Sequence, residues 1–186
     1  YIGGGSSFNQ GFIYKTTNAG LNWVSQTYFP FQPVREIQFL NDLSGYASGQ
    51  ADNILKTTNG GTNWEVLTAG ISNYIYSLFF ININTGFLSG YGRIFKTTNA
   101  GLSWIQMILG NSILRCVRFL NEQTGFLTNL SSPYLYKTTD QGASWNPINL
   151  SFLTSSGKMF FTDVNSGFII GGNKLYKTTD CGVTWG

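Results

Sequence analysis

The chain contains no histidine, and only 10% of its 186 residues are charged. Without histidine, a Ser-His-Asp or Cys-His catalytic arrangement is excluded within this sequence. The charged fraction is far below the roughly 25% of a typical soluble domain, so Asn, Ser, Thr and Gln must supply the polar surface. The net charge of +3 comes with no basic run, which argues against nucleic acid as a partner.

Long apolar runs and cysteines are also scarce. No segment reaches the ~18 consecutive apolar residues of a membrane helix, so membrane insertion is not expected. The two cysteines, Cys116 and Cys181, fall at different places in the sequence pattern. They indicate neither a disulfide framework nor, in the absence of histidine, a metal site. No cofactor is expected, and the state of the two thiols stays open.

An eleven-residue phrase that ends in tryptophan occurs five times, at a spacing of 40 or 41 residues. A fixed period of this length indicates one supersecondary unit copied along the chain, with each copy burying its apolar face against the next. The last eight residues of each phrase are called the tryptophan turns below. The phrases are IYKTTNAGLNW from Ile13, ILKTTNGGTNW from Ile54, IFKTTNAGLSW from Ile94, LYKTTDQGASW from Leu135 and LYKTTDCGVTW from Leu175.

A second phrase keeps the same period and places a phenylalanine six residues before a glycine that an aromatic residue follows. Its copies, called the phenylalanine turns, are 39–46, 80–87, 119–126 and 161–168. Tyr1 aligns with the last residue of these turns, so the chain is expected to open inside a repeat and to be part of a larger array. The predicted repeats are 1–34, 35–74, 75–113, 114–156 and 157–186.

Each repeat is expected to form four antiparallel strands. Apolar and β-branched runs of four to six residues alternate with glycine and asparagine, and no helical period extends far enough for a helix. Four short strands per ~40 residues is the size of a propeller blade, which a β-solenoid or a sandwich matches less well. We therefore predict an all-β propeller segment with five four-stranded sheets. In the third repeat the predicted strands are 76–81, 86–90, 93–97 and 104–107.

Each tryptophan turn has its own physical logic. The threonine ends the third strand, the Asn or Asp folds back onto backbone amides, and the glycine permits a positive φ. The large tryptophan ring is expected to be buried between neighbouring blades in all five copies. The lysine before each threonine pair is expected to be solvated.

The tryptophan turns resemble the Asp-box of bacterial neuraminidase-type (BNR) repeats, Ser/Thr-x-Asp-x-Gly-x-Thr-Trp. The KTT opening and the preceding GF phrase are most similar to the photosystem II stability and assembly factor-like propellers. This resemblance implies a propeller of about seven blades, turns that are structural and lie away from the ligand face, and a basic patch that recognises a membrane protein. The basic residues here are few and dispersed. The residues that match the box are Thr16, Asn18, Gly20, Trp23, Thr57, Asn59, Gly61, Trp64, Thr97, Asn99, Gly101, Trp104, Thr138, Asp140, Gly142, Trp145, Thr178, Asp180, Gly182 and Trp185.

No catalytic residue is predicted. A sialidase needs an arginine triad and a tyrosine nucleophile, and its Phe-Arg-Ile-Pro phrase is absent from this sequence. A glycosidase of the xyloglucanase kind needs two carboxylic acids that face each other across a cleft, and no spacing of the eight acids here argues for such a pair.

The remaining candidate is the rim where repeats differ from one another. In a propeller, the loops from second to third strand and from fourth strand to the next blade share one end. These loops vary here in length and content, as expected where a rim binds something. The alternative interpretation is that their aromatic residues cap the blade cores. The candidate binding residues are Tyr28, Phe29, Phe31, Tyr91, Arg93, Tyr134 and Phe152.

Two functional hypotheses follow. The first is a noncatalytic binding or scaffold propeller that engages a protein or glycan partner and is exported to the periplasm, the cell surface or the extracellular space. The second is the propeller portion of a glycoside hydrolase whose catalytic acids lie outside these repeats.

Overall fold

The computed structural model describes residues 1–6, 10–29, 33–49, 53–68, 70–71, 74–131, 133–153 and 155–186. Within these ranges the regular structure consists of strands, and the predicted all-β antiparallel fold class is confirmed. The strands are β1 (Ile2–Ser6), β2 (Gln10–Lys15), β3 (Val24–Phe29), β4 (Glu36–Phe39), β5 (Gly45–Ser48), β6 (Asn53–Thr57), β7 (Glu65–Thr68), β8 (Ser77–Phe80), β9 (Gly86–Ser89), β10 (Tyr91–Thr97), β11 (Ile105–Phe119), β12 (Gly125–Asn129), β13 (Tyr134–Thr138), β14 (Asn146–Asn149), β15 (Ser156–Phe161), β16 (Gly167–Gly171) and β17 (Lys174–Thr178).

The described strands form four sheets rather than the five that the sequence predicts. Their orders are β1-β2-β3, β4-β5-β6-β7, β14-β13-β12-β11-β10-β9-β8 and β15-β16-β17. The seven-stranded sheet arises because β11 runs for 15 residues, from the last strand of the third repeat into the first strand of the fourth. Residues 105–119 contain no proline, whereas the connection after β3 contains Pro30 and Pro33. Proline removes a ladder donor, which favours separate strands at that connection. The strands β7 and β14 also end before the next repeat, and no proline follows either of them in its connection.

The chain divides into two compact units. The first comprises Tyr1–Gly86 and Thr97–Ile105, and the second comprises Phe87–Lys96 and Gln106–Gly186. In the first unit, Ile13, Val34, Ala47 and Leu55 form a buried cluster. The second unit has a larger buried cluster that joins the fourth repeat to the fifth: Cys116, Phe126, Leu135, Leu150, Leu153, Met159, Ile169 and Trp185.

Each phenylalanine turn needs its glycine for space. Phe119 lies directly across the ladder from Gly125, and Phe161 from Gly167. A Cβ atom on Gly125 would lie 2.8 Å from the Phe119 ring, which is closer than real Cβ contacts come. The ring therefore covers the glycine backbone, and the spacing of phenylalanine and glycine in every copy records this cross-strand contact.

The tryptophan turns are closed by side chains that accept backbone hydrogen bonds. In the fourth repeat, Thr138 Oγ1 accepts the amide of Gly142 at 2.8 Å, and Asp140 Oδ1 accepts the amide of Ser144 at 2.9 Å. The residue before the glycine also has a positive φ, which is 58° at Gln141. Such a conformation is costly for a non-glycine residue, so the surrounding bonds must hold it in place.

Aromatic rings stack from each repeat onto the next. Tyr46 of the second repeat stacks on Phe80 of the third with ring centroids 3.6 Å apart. Phe87 of the third stacks on Phe119 of the fourth at 4.5 Å. Trp145 then meets Phe119 edge-on at 5.8 Å. Offset and edge-to-face rings at the spacing of the last two pairs add roughly 0.5–1.5 kcal/mol each beyond their buried area.

The repeated lysines contribute to these junctions, so the expectation that they are simply solvated is wrong. Lys96 Nζ lies 5.7 Å from the centroid of the Phe87 ring and donates to the carbonyl of Gln141 in the next repeat at 2.7 Å. Lys137 Nζ likewise lies 5.2 Å from the Phe126 centroid. The apolar stem of lysine can lie along a ring while its ammonium group reaches a carbonyl beyond it.

Burial of the five tryptophans is unequal, which corrects the expectation that all are largely buried. Trp145 is 7% exposed, whereas Trp23 is 40% exposed. Trp64 and Trp104 are half-buried. Trp145 packs against Phe119 of its own repeat, but the first repeat contributes no phenylalanine turn to cover Trp23.

Replacing Trp145 by alanine should lower the free energy of unfolding by about 3 to 5 kcal/mol, because the change leaves a cavity beside Phe87 and Phe119. Trp23→Ala is the matched control and should cost clearly less, since its ring is already in contact with water. Urea denaturation of the two variants measures both values. Equal losses would contradict the packing described for the fourth repeat.

The carboxylates of Asp140 and Asp180 give the fold a defined acid sensitivity. Hydrogen bonds from the hydroxyl and amide groups of Ser144 and Thr184 lower the pKa of each to about 2. A carboxyl whose folded pKa lies below its ordinary value of about 3.9 stabilises the fold above that value, and this contribution is lost as pH falls toward 2.

The double variant Asp140→Asn/Asp180→Asn should therefore melt below the parent chain at pH 6, and this difference should shrink between about pH 4 and pH 2. Asparagine is the matched replacement because three repeats carry it at the same position. Thermal melts across this range provide the measurement. A difference in melting temperature that stays constant with pH would refute the role of the carboxylates.

Candidate binding rim

The rim is the end of each repeat at which its second strand ends, its third begins and its fourth ends. The ladders place these points together in the fourth repeat, where Leu114 lies across from Asn129 and Tyr134 across from Asn149. The tryptophan and phenylalanine turns lie at the other end of the same strands, as Gly125 pairs with Thr138 there. All the residues that match the box are therefore at the end opposite the rim.

In every repeat, the position three residues before the repeated lysine lies in the third strand at the rim. The residue at this position differs in every repeat, although the lysine never changes. These equivalent residues are Phe12, Asn53, Arg93, Tyr134 and Lys174. An aromatic, an amide and a cation cannot serve the same packing role. Variation here, over a constant framework, is the pattern of a surface that is free to acquire binding function.

Tyr91 lies at the tip of the tight hairpin between β9 and β10. The hairpin is closed by the amide of Gly90, which donates to the carbonyl of Arg93 at 2.9 Å. Gly92 has a φ of 63°, and a Cβ atom there would lie 1.9 Å from the carbonyl oxygen of Gly110. Only glycine fits this close approach, so the hairpin holds Tyr91 at the rim with half of its surface exposed (50%).

Tyr134 and Phe152 lie on either side of β14, the last strand of the fourth repeat, in the order of the chain. Tyr134 is 40% exposed at the start of β13. The loop after β14 is fixed to it by the Leu150 amide, which donates to the carbonyl of Pro133 at 2.8 Å. This loop carries Phe152, whose ring packs on Tyr176 of the fifth repeat at 4.6 Å. Phe152 thus has both a packing contact and an exposed surface.

Three of the predicted residues have side chains outside the part of the chain that the structure describes. Tyr28 and Phe29 end β3, where their backbones pair with Phe12 and Gly11, but their side chains lie outside the described residues. Phe31 lies outside them altogether. The prediction for these three residues stays a prediction.

The first unit has rim aromatics that sequence reasoning missed. Tyr74, in the loop before β8, is 54% exposed. Tyr76 lies under the guanidinium of Arg35, whose central carbon is 5.8 Å from the ring centroid. The alternation Tyr-Ile-Tyr before the first strand was the available signal, because Ile75 between the two tyrosines is buried.

A polar cavity of about 160 Å³ lies in the same unit between β1 and β4. Its lining includes Arg35 and Glu36. The Glu36 carboxylate accepts the amide of Leu78 at 2.6 Å, so this acid helps to join the first strands of the second and third repeats. Such a contact gives the carboxylate a structural role.

The described residues contain no group of three or more His, Cys, Asp or Glu that could hold a metal ion. Within the same part of the chain, no helix is long and apolar enough to cross a membrane. What the rim offers chemically is exposed aromatic surface, backbone polar groups and isolated charges, which suit binding.

These features define a β-propeller segment built from antiparallel, aromatic-stacked repeats. The family model of the photosynthesis system II assembly factor YCF48 matches residues 28–149, which is more than half of the chain. The chain therefore belongs to this family. No curated protein sequence matches it.

Solved structures of propellers share the fold at low identity. YCF48 bound to D1 peptide is 17% identical with a TM-score of 0.71, covering 95% of this chain and 62% of its own. YCF48 from Cyanidioschyzon merolae is 15% identical with a TM-score of 0.72, covering 93% of this chain and 64% of its own. A GH74 enzyme from Niastella koreensis is 17% identical with a TM-score of 0.74, covering 100% of this chain and 37% of its own. The chain thus spans less than two thirds of the length of each of these proteins.

Proposed function

We propose that this propeller is a noncatalytic binding module that captures a segment of a protein partner on its variable rim. The observation that carries the proposal is the rim itself. One equivalent position carries a different residue in every repeat while the turns at the opposite end are kept, and Tyr91 and Tyr134 present broad exposed rings at or beside this position. Exposed tyrosines are favoured anchors at protein interfaces.

Family membership and one structural relative support a protein partner. The matched family is that of an assembly factor, and a similar propeller was solved with D1 peptide bound. We extend peptide capture to this chain as a proposal. We also propose that the protein acts outside the cytoplasm, in the periplasm, at the cell surface or extracellularly, because a surface dominated by Asn, Ser and Thr suits those settings.

The alternative is the propeller portion of a glycoside hydrolase, which the similarity to GH74 enzymes keeps open. That chemistry needs two acids placed across a cleft. Four of the acids accept hydrogen bonds that belong to the fold. Asp140 and Asp180 close tryptophan turns, and Asp163 accepts two amides of its own turn. Glu36 accepts the amide of Leu78. A hydrolase that used any of these four acids would have to give up the contacts that they make in the fold.

Titration of the chain with a fluorescently labelled D1 peptide tests the proposal, with a xyloglucan oligosaccharide as the competing probe. Tyr134→Ala should weaken peptide binding at least about fivefold, the scale of one truncated aromatic anchor. Val183→Ala is the matched control, since Val183 is an exposed apolar residue at the opposite end of its repeat, and it should leave binding unchanged.

If both variants weaken peptide binding equally, or if neither does, the proposal that the peptide binds at the rim is contradicted. Binding or hydrolysis of the oligosaccharide without peptide binding would establish the alternative. Circular dichroism of each variant separates a lost contact from a lost fold.

A further inference from the structure

The tryptophan turn of the second repeat contains Asn59-Gly60, the one Asn-Gly dipeptide in the sequence. Asparagine followed by glycine is chemically the most labile form of this residue, because glycine has no side chain to hinder attack by its own amide nitrogen. The equivalent turns of the first and third repeats have Asn18-Ala19 and Asn99-Ala100. One of three nearly identical turns is thus predisposed to spontaneous modification.

We propose that Asn59 is a deamidation site that the folded repeat junction holds unreactive, so that its modification records local opening of this turn. In the reaction, the Gly60 amide nitrogen loses its proton to solvent base and bonds to Cγ of Asn59. The Cγ–Nδ2 bond breaks and ammonia leaves, which closes a succinimide ring. Water then adds to either ring carbonyl and yields aspartate or isoaspartate.

The fold restrains the nucleophile. The Gly60 amide donates to the carbonyl of Leu43 at 2.8 Å, in the phenylalanine turn of the same repeat. The Gly60 carbonyl accepts hydrogen bonds from Lys15 Nζ, at 2.9 Å, and from the Tyr1 hydroxyl, both in the first repeat. The peptide units on both sides of Gly60 are therefore held, and Gly60 itself is buried.

The fold also restrains the electrophile. Asn59 Oδ1 accepts the amide of Asn63 at 2.9 Å and the hydroxyl of Thr57 at 3.0 Å. Rotating Cγ toward the Gly60 nitrogen would break both bonds. Attack thus requires the turn to open, and the rate in the folded chain is set by how often it opens.

The two products have different consequences. Aspartate fits the turn, because Asp140 and Asp180 occupy the equivalent position and accept the same amide bond. Isoaspartate adds a methylene group to the backbone within the turn, so it cannot keep the spacing that these bonds require. Deamidation to isoaspartate should therefore weaken the junction between the first and second repeats.

The experiment compares deamidation of the whole chain, incubated at mildly alkaline pH with and without urea, by mass spectrometry of the peptide that contains Asn59. The folded chain should react at least about tenfold more slowly than the unfolded chain, which corresponds to about 1.4 kcal/mol of opening free energy. Asn18 and Asn99 serve as internal controls and should react more slowly than Asn59 in urea.

Lys15→Met should accelerate the reaction at Asn59 in the absence of urea, since it removes the ammonium group from the Gly60 carbonyl. Lys96→Met is the matched control, because it makes the same change at a junction that does not contact Asn59, and should leave the rate unchanged. Equal rates with and without urea, no reaction in urea, or equal effects of the two lysine variants would each overturn the proposal.

Discussion

The contact on which the rest of this structure depends is the junction between one repeat and the next. An aromatic residue of the second strand stacks on the phenylalanine of the following repeat, and a lysine crosses that ring to reach a carbonyl of the following tryptophan turn. Phe87, Phe119, Lys96 and Gln141 form one such junction. In repeat proteins, the interfaces between neighbouring repeats contribute directly to the stability of the whole array.

This junction explains why most positions of the turns carry the same residue types in every repeat. The glycine of the phenylalanine turn is covered by a ring. In the fourth repeat, Gln141, which precedes the glycine of the tryptophan turn, is held in the left-handed region by hydrogen bonds from its own and the preceding repeat. A change at any of these positions disturbs two repeats at once. Rim residues such as Tyr91 and Tyr134 lie at the other end of the strands, where side chains can differ without breaking the junction.

The sequence was sufficient for the fold class, since the period and the two phrases predict short antiparallel strands with turns at set points. It did not reveal the continuous β11, because a strand boundary depends on backbone pairing that no periodicity encodes. The role of Lys96 was missed for a related reason, as a polar residue that repeats looks solvated until its neighbour is in place. At the rim, Tyr91 was recognisable because it lies between two glycines, whereas Tyr74 has no flanking glycine.

A double-mutant cycle on Phe87 and Phe119 tests the central claim most directly, with each residue changed to leucine singly and together. Stacking across the junction predicts a coupling free energy of about 0.5 to 1.5 kcal/mol in urea denaturation. The control cycle pairs Phe87 with Phe161, which belongs to a different junction. Their two losses in the free energy of unfolding should simply add. Additive losses for Phe87 and Phe119 as well would show that the rings are buried independently and that the junction does not hold adjacent repeats together.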